Sequence, residues 1–123
     1  MNNKGKKQWY IPDAYLPSSG LGETWEGHES VCIMNVTDED AQIQFILYFD
    51  DRDPIDEIHF TLPAQRARHV GMHKPEMLGG FKMPRDVCYA IEVKSDKNIV
   101  VQYSRLDVMQ PNFTLMTTTP YSE

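Results

Sequence analysis

Long apolar runs are what this 123-residue sequence most plainly lacks. The longest uncharged apolar stretch is about Gln42 to Phe49, far short of the roughly 20 residues a membrane helix needs, so insertion into a bilayer is not expected. An apolar secretory segment is missing too. The Lys4, Lys6 and Lys7 start meets polar Gln8 and then Pro12 and Asp13, so the expected compartment is the cytoplasm. Cysteine is scarce: Cys32 and Cys88 are too few for a four-cysteine zinc site. Both sit in strand-like runs and are expected to be reduced, buried small hydrophobes. Positive charge is in deficit, with a net charge of −6, which excludes nucleic-acid binding as a default.

Catalytic signatures are equally thin. There is no His-x-His pair and no His-Glu-x-x-His helix among His28, His59, His69 and His73. Ser30 and Cys32 lie near His28, but nothing marks an oxyanion hole or a nucleophile elbow. We therefore assign no catalytic residue, no metal and no cofactor. Helical periodicity is absent as well, since no window of a dozen residues carries an i, i+3, i+4 apolar stripe.

What the sequence does have is a period of two. Ile43, Phe45, Leu47 and Phe49 fall on one face while Gln42 and Gln44 open the other, and Ile58, Phe60 and Leu62 repeat the pattern. Val31 to Asn35, Tyr89 to Val93, Ile99 to Tyr103 and Phe113 to Thr118 are further short runs rich in β-branched and aromatic residues. Turn clusters separate them at Thr37 to Asp40, Asp50 to Pro54 and Lys94 to Asn98. Two irregular stretches, Pro12 to Gly27 and His73 to Pro84, have the length of binding or interface loops. The expected fold is one all-β domain, an antiparallel β-sandwich over residues 9–123, behind a flexible basic arm at residues 1–8.

Arginines are the residue type best suited to binding. A guanidinium fork matches carboxylate, phosphate or vicinal hydroxyl oxygens, and Arg52, Arg66, Arg68 and Arg105 lie near Asp51, Asp53 and Asp107. These groups can pair with one another across strands or subunits, or some can line a pocket. Strand alternation puts Arg66, Arg68 and Val70 on one face and Ala67 and His69 on the other, and it groups Val101, Tyr103 and Arg105. It also points His28 and Glu29 in opposite directions. Trp9, Tyr10, Tyr15 and Trp25 flank the first irregular stretch, either as packing or as stacking faces. Lys4, Lys6, Lys7, Arg66, Arg68 and Lys74 are either a local basic patch or solvated side chains.

Four segments in order carry a family likeness: His28 to Asn35, Tyr48 to Pro54, Pro63 to Val70 and Ile99 to Asp107. Together they resemble the Anabaena sensory rhodopsin transducer family over about residues 9–120. That resemblance implies a jelly-roll-like antiparallel sandwich assembled as a homotetramer, a soluble partner of a light-sensing membrane receptor or another signalling protein. It also implies attributed DNA binding and a sandwich similar to carbohydrate-binding modules. The reading it favours is a non-enzymatic binding or sensor module for a polar, sugar-like or carboxylate ligand. The residues expected to bind are Arg52, Arg66, Arg68, Arg105, Asp107, His69, Glu29 and His28. The alternatives are a DNA-binding regulator and a small metal-dependent jelly-roll enzyme.

Overall fold

The computed structural model describes residues 4–18, 27–107 and 114–123. Eight strands form in the order β1 Lys6–Tyr15, β2 His28–Asn35, β3 Ala41–Phe49, β4 Ile55–Leu62, β5 Arg66–Gly71, β6 Cys88–Asp107, β7 Thr114–Thr118 and β8 Tyr121–Ser122. The one helical piece among them is a short 3-10 turn at Pro75–Met77. Every pairing is antiparallel. One layer runs β4-β3-β6-β1-β8, and the other pairs β5 with β2, β2 with the second half of β6, and β6 with β7. The expected all-β antiparallel sandwich is the fold observed.

Strand β6 joins the layers. Its Tyr89 to Ser95 half pairs with β3 and its Val100 to Leu106 half with β2. Lys94 to Asn98, expected as a turn, is therefore a crossing inside one 20-residue strand. The polar residues satisfy the crossing: Asp96 Oδ1 accepts the amide of Gln42, 54 positions away, at 2.8 Å and Ser95 Oγ accepts that of Lys97 at 3.1 Å. Asp and Ser bond to backbone amides in turns as well, so their clustering looks the same in sequence whether the chain reverses or carries on.

The period of two sorts residues as expected. Phe45, Leu47, Ile91, Val93, Val31, Ile33, Val101 and Tyr103 fill a single core between the layers. Pro12 to Tyr15, expected to be irregular, belong to β1, because register shifts between Lys6 and Gln8 and between Ile11 and Ala14 absorb the proline at an irregular step. Strand β1 also begins at Lys6, inside the expected arm, with Lys6 opposite Ile99 and Gln8 opposite Lys94. Trp25 lies outside the described residues, as does the rest of 19–26. The second irregular stretch is confirmed as non-strand, yet it contributes Leu78 and Met83 to the core.

The cysteines depart from expectation. Cys88 is exposed and Cys32 half-buried, both as free thiols. Val31, Ile33 and Tyr89 take the inward phase, so their neighbours must point out.

Candidate functional site

Strand β2 starts at a crowded corner. A Cβ on Gly27 would lie 2.3 Å from Pro17 Cγ and 3.0 Å from the Leu106 carbonyl oxygen, so glycine is what lets these segments meet. Beyond it, alternation turns His28 outward and Glu29 inward, where Glu29 is 0% exposed. An isolated buried carboxylate would cost several kcal/mol. Glu29 is instead saturated by donors: Tyr89 Oη at 2.5 Å on Oε1, and Tyr103 Oη together with the Tyr15 amide, at 2.8 Å, on Oε2. Burial first, then the Glu29 charge, pushes both tyrosine pKa values up, so the phenols stay protonated as donors.

Arg105 stands directly opposite Glu29 in the β2–β6 register. Its charge acts the other way on the two phenols, lowering their pKa values in part. Its side chain is 19% exposed and its Nη1 lies 3.9 Å from Asp13 Oδ1, a distance at which the ion pair is weak. The Arg105 side chain thus shares the face of the buried carboxylate while remaining partly accessible at the surface.

A rim of polar groups surrounds this position. The His28 and His73 rings lie 5.0 Å apart, centroid to centroid. His73 Nδ1 is buried with no hydrogen-bond partner among the described residues. Burial, followed by the charges of His28 and Lys74, holds the His73 pKa below the ordinary value. Arg85 Nη1 donates to the carbonyls of Pro17 at 2.5 Å and Gly27 at 3.1 Å. Asp86, in the left-handed region at φ 61°, accepts the Ser18 amide at 2.9 Å and the Tyr15 hydroxyl at 3.3 Å. Aspartate tolerates that conformation better than most residues. Residues 85 and 86 therefore clasp the 15–18 segment against the Glu29 corner.

The structure divides the eight expected binding residues. Glu29 and Arg105 share one face, whereas His28 turns to the opposite face against His73, and Asp107 ends β6 close enough for its charge to raise the Tyr15 pKa, after burial and Asp86. Arg52 sits beyond a ring stack: its guanidinium lies 5.0 Å over Phe49, which stacks on Tyr89 at 6.0 Å, and it pairs with Asp51 at 2.9 Å. Arg66 and Arg68 belong elsewhere. Arg66 is opposite Asn35 and Arg68 opposite Ile33, about 20 and 13 Å along β2 from Glu29 at strand rise. Arg68 covers the Phe60 ring at 5.1 Å and donates to the Thr61 carbonyl at 3.3 Å. His69 faces outward beside Cys32. Tyr89, Tyr103, Arg85 and Asp86 are not anticipated as site residues, whereas the sequence names Tyr15 as a packing or stacking face and His73 among four histidines without placing either at this corner. One signal was available for Tyr103: a residue with a polar tip sharing an inward face with Arg105. Among the described residues, no three His, Cys, Asp or Glu side chains converge as a metal site.

The model of the family described as Anabaena sensory rhodopsin transducer matches residues 4–122. The chain belongs to that family. A protein of Thermotoga maritima, 1070, is 34% identical, with TM-score 0.83 over 98% of this chain and 97% of its own. The Anabaena sensory rhodopsin transducer itself is 35% identical, with TM-score 0.73 over 84% of this chain and 90% of its own. No curated protein matches. Family membership makes this chain a sensory-transducer-like module, and no helix among the described residues is long and apolar enough to cross a membrane.

Proposed function

We propose that this transducer-like module works by binding and not by catalysis. In this reading it is a cytoplasmic homotetramer that takes a polar, oxygen-rich small ligand, sugar-like or carboxylate, at the Glu29–Arg105 corner and relays occupancy to a receptor or other signalling protein. The observation that carries the reading is the fully buried Glu29 carboxylate, held by two phenols and backed by an Arg105 that reaches the surface. Buried charge of this kind is costly and is retained where it positions something. Here it accepts the Tyr15 amide, and Arg105 stands opposite it with a side chain that is partly accessible at the surface. Ligand contact with Arg105 or His28 would favour one arrangement of the clasp over another, and that differential affinity is all that relay requires.

The test is a thermal-shift screen of sugars and small carboxylates on the tetramer, repeated on Arg105→Ala and His28→Ala. A ligand that stabilises the native protein and loses roughly tenfold to a hundredfold in affinity in Arg105→Ala supports the site, as expected for a charge-assisted contact. Full retention of affinity in both variants overturns it. Light scattering that returns a 14.2 kDa monomer at micromolar concentration overturns the tetramer. Steeply salt-dependent binding of duplex DNA, with no small ligand found, replaces the reading with the regulator alternative.

A further inference from the structure

The outer face of the β8-β1-β6-β3 layer carries a second constellation, whose side chains turn away from the core that the Glu29 corner closes. Tyr121, Tyr10, Glu92 and Ile46 lie in one cross-strand row, Tyr121 opposite Tyr10, Tyr10 opposite Glu92, and Glu92 opposite Ile46. Tyr48, two residues beyond Ile46 on the same face, donates its hydroxyl to Glu92 Oε1 at 2.7 Å. The Tyr10 and Tyr121 rings are 6.0 Å apart at 39°, and the Tyr121 hydroxyl donates to Glu123 Oε2 at 2.8 Å. Glu92 faces outward between inward Ile91 and Val93, yet it is only 8% exposed, with the Tyr48 hydroxyl on its carboxylate and Tyr10 opposite it in register.

That arrangement is unusual for a solvent face. An outward carboxylate normally sits in water, whereas this one is roofed by aromatic rings, two of which, Tyr121 and Tyr48, are themselves 65% and 40% exposed. None of the ion pairs among the described residues involves Glu92. Next to it, sharing Tyr48, is a depression of about 280 Å³ walled by Pro12, Phe49, Cys88, Tyr89 and Ala90 together with the carboxylates of Asp50 and of Asp13, the latter weakly paired with Arg105, so that it abuts the Glu29 corner. Ring faces with negative quadrupoles, a partly desolvated carboxylate and further acidic groups at the edge are complementary to one kind of guest, a positively charged group too weakly hydrated to prefer water. A sugar hydroxyl can donate to these carboxylates but brings no charge to meet theirs, and an anion is repelled.

We propose that Tyr10, Tyr48, Tyr121 and Glu92 form a binding site for a small organic cation with a quaternary or N-alkylated ammonium head. The rings take the alkylated head on their faces, and Glu92, which accepts the Tyr48 hydroxyl, supplies the counter-charge. The rest of the ligand lies in the depression toward Pro12 and Ala90. Full-charge pairing across partly desolvated surface is stronger than at an exposed site, so the carboxylate and the rings act together.

The experiment is an NMR titration of the intact protein at constant ionic strength with tetramethylammonium, with choline, and with the neutral isostere 3,3-dimethyl-1-butanol. The expected result is saturable binding of both cations, with shifts confined to the four residues and the adjoining depression, and affinity for the butanol lower by about tenfold or more. Glu92→Gln and Tyr121→Ala should each weaken cation binding by a comparable factor. Tyr121 lies at an exposed edge, so its variant keeps the test sound should Glu92→Gln disturb folding. Linear, non-saturating shifts, equal affinity for the neutral isostere, unchanged binding in Tyr121→Ala, or binding of an arginine-rich peptide with none of the alkylammonium probes would each overturn the proposal.

Discussion

The two ends of β2 each bury a polar side chain, and they do so in opposite ways. Asn35, at the C-terminal end, is 1% exposed and neutral. Its Nδ2 donates to the carbonyls of Glu39 at 2.9 Å and Leu62 at 3.2 Å, while its Oδ1 accepts from the amide and hydroxyl of Thr37 at 3.0 and 2.7 Å. These partners lie in the turn after β2 and at the end of β4, so Asn35 ties the ends of β2 and β4 and presents nothing to the outside. Glu29, at the N-terminal end, is charged and held by phenols from β6, with Arg105 opening the cluster to the surface. A buried neutral amide can be fully satisfied by backbone, which makes a structural knot. A buried carboxylate needs donors with tunable protons and a cation nearby, and those are the ingredients of a responsive site.

The largest expected effect tests that contrast directly. Glu29→Ala strands two phenolic donors and should lower stability by about 3–5 kcal/mol, against about 1–3 kcal/mol for Asn35→Ala, both read from chemical denaturation. Equal costs would mean that the two ends are the same kind of structural knot.

The next effect is on pH. Tyr89 and Tyr103 have raised pKa values in the folded state, by burial first and Glu29 second. The unfolded phenols ionise at about 10, so their contribution is intact below that pH and is lost as pH climbs toward the folded values. His73, lowered mainly by burial, works on the acid side. The unfolded imidazole takes up its proton first, below about 6.5, so stability falls as pH drops through that value toward the folded one. Melting curves across pH should therefore show both flanks, with Tyr103→Phe softening the alkaline one and His73→Gln the acid one. Asn35→Ala should leave both flanks where they are.

A smaller effect separates the arginines. Arg68→Ala removes a cation–π contact and one carbonyl bond, which should cost about 1 kcal/mol and leave ligand affinity at the Glu29 end unchanged. Arg105→Ala should abolish binding at the Glu29 end and also lower the melting temperature, because it takes the nearby cation from a buried carboxylate. Smallest of all, Cys32→Ser and Cys88→Ser should each change stability by no more than about 0.5 kcal/mol, because both thiols point away from the core. Alkylation of the native protein should reach Cys88 faster than Cys32.

Much of this was legible in the residues themselves. The run Ile43, Phe45, Leu47 announces a half-buried strand because alternation is a local property of extended backbone. The same rule correctly opposed His28 to Glu29 and grouped Tyr103 with Arg105. It did not show that Lys94 to Asn98 crosses between layers, since side-chain bonds such as Asp96 to Gln42 link residues 54 positions apart. Nor did it show that Cys88 faces solvent, because phase is fixed only by which neighbour finds the core.

The sequence by itself determined the strand pattern, the sandwich class and, through the His28, Arg66 and Arg105 segments, the family. Only the tertiary structure decided which polar residues meet. Glu29, Tyr89 and Tyr103 are 60 and 74 positions apart from the carboxylate to its donors, and they touch because β2 pairs with the far half of β6 while the near half of β6 carries Tyr89. Local periodicity tells a side chain which way to point. What it points at depends on long-range strand pairing, which no short window of sequence contains.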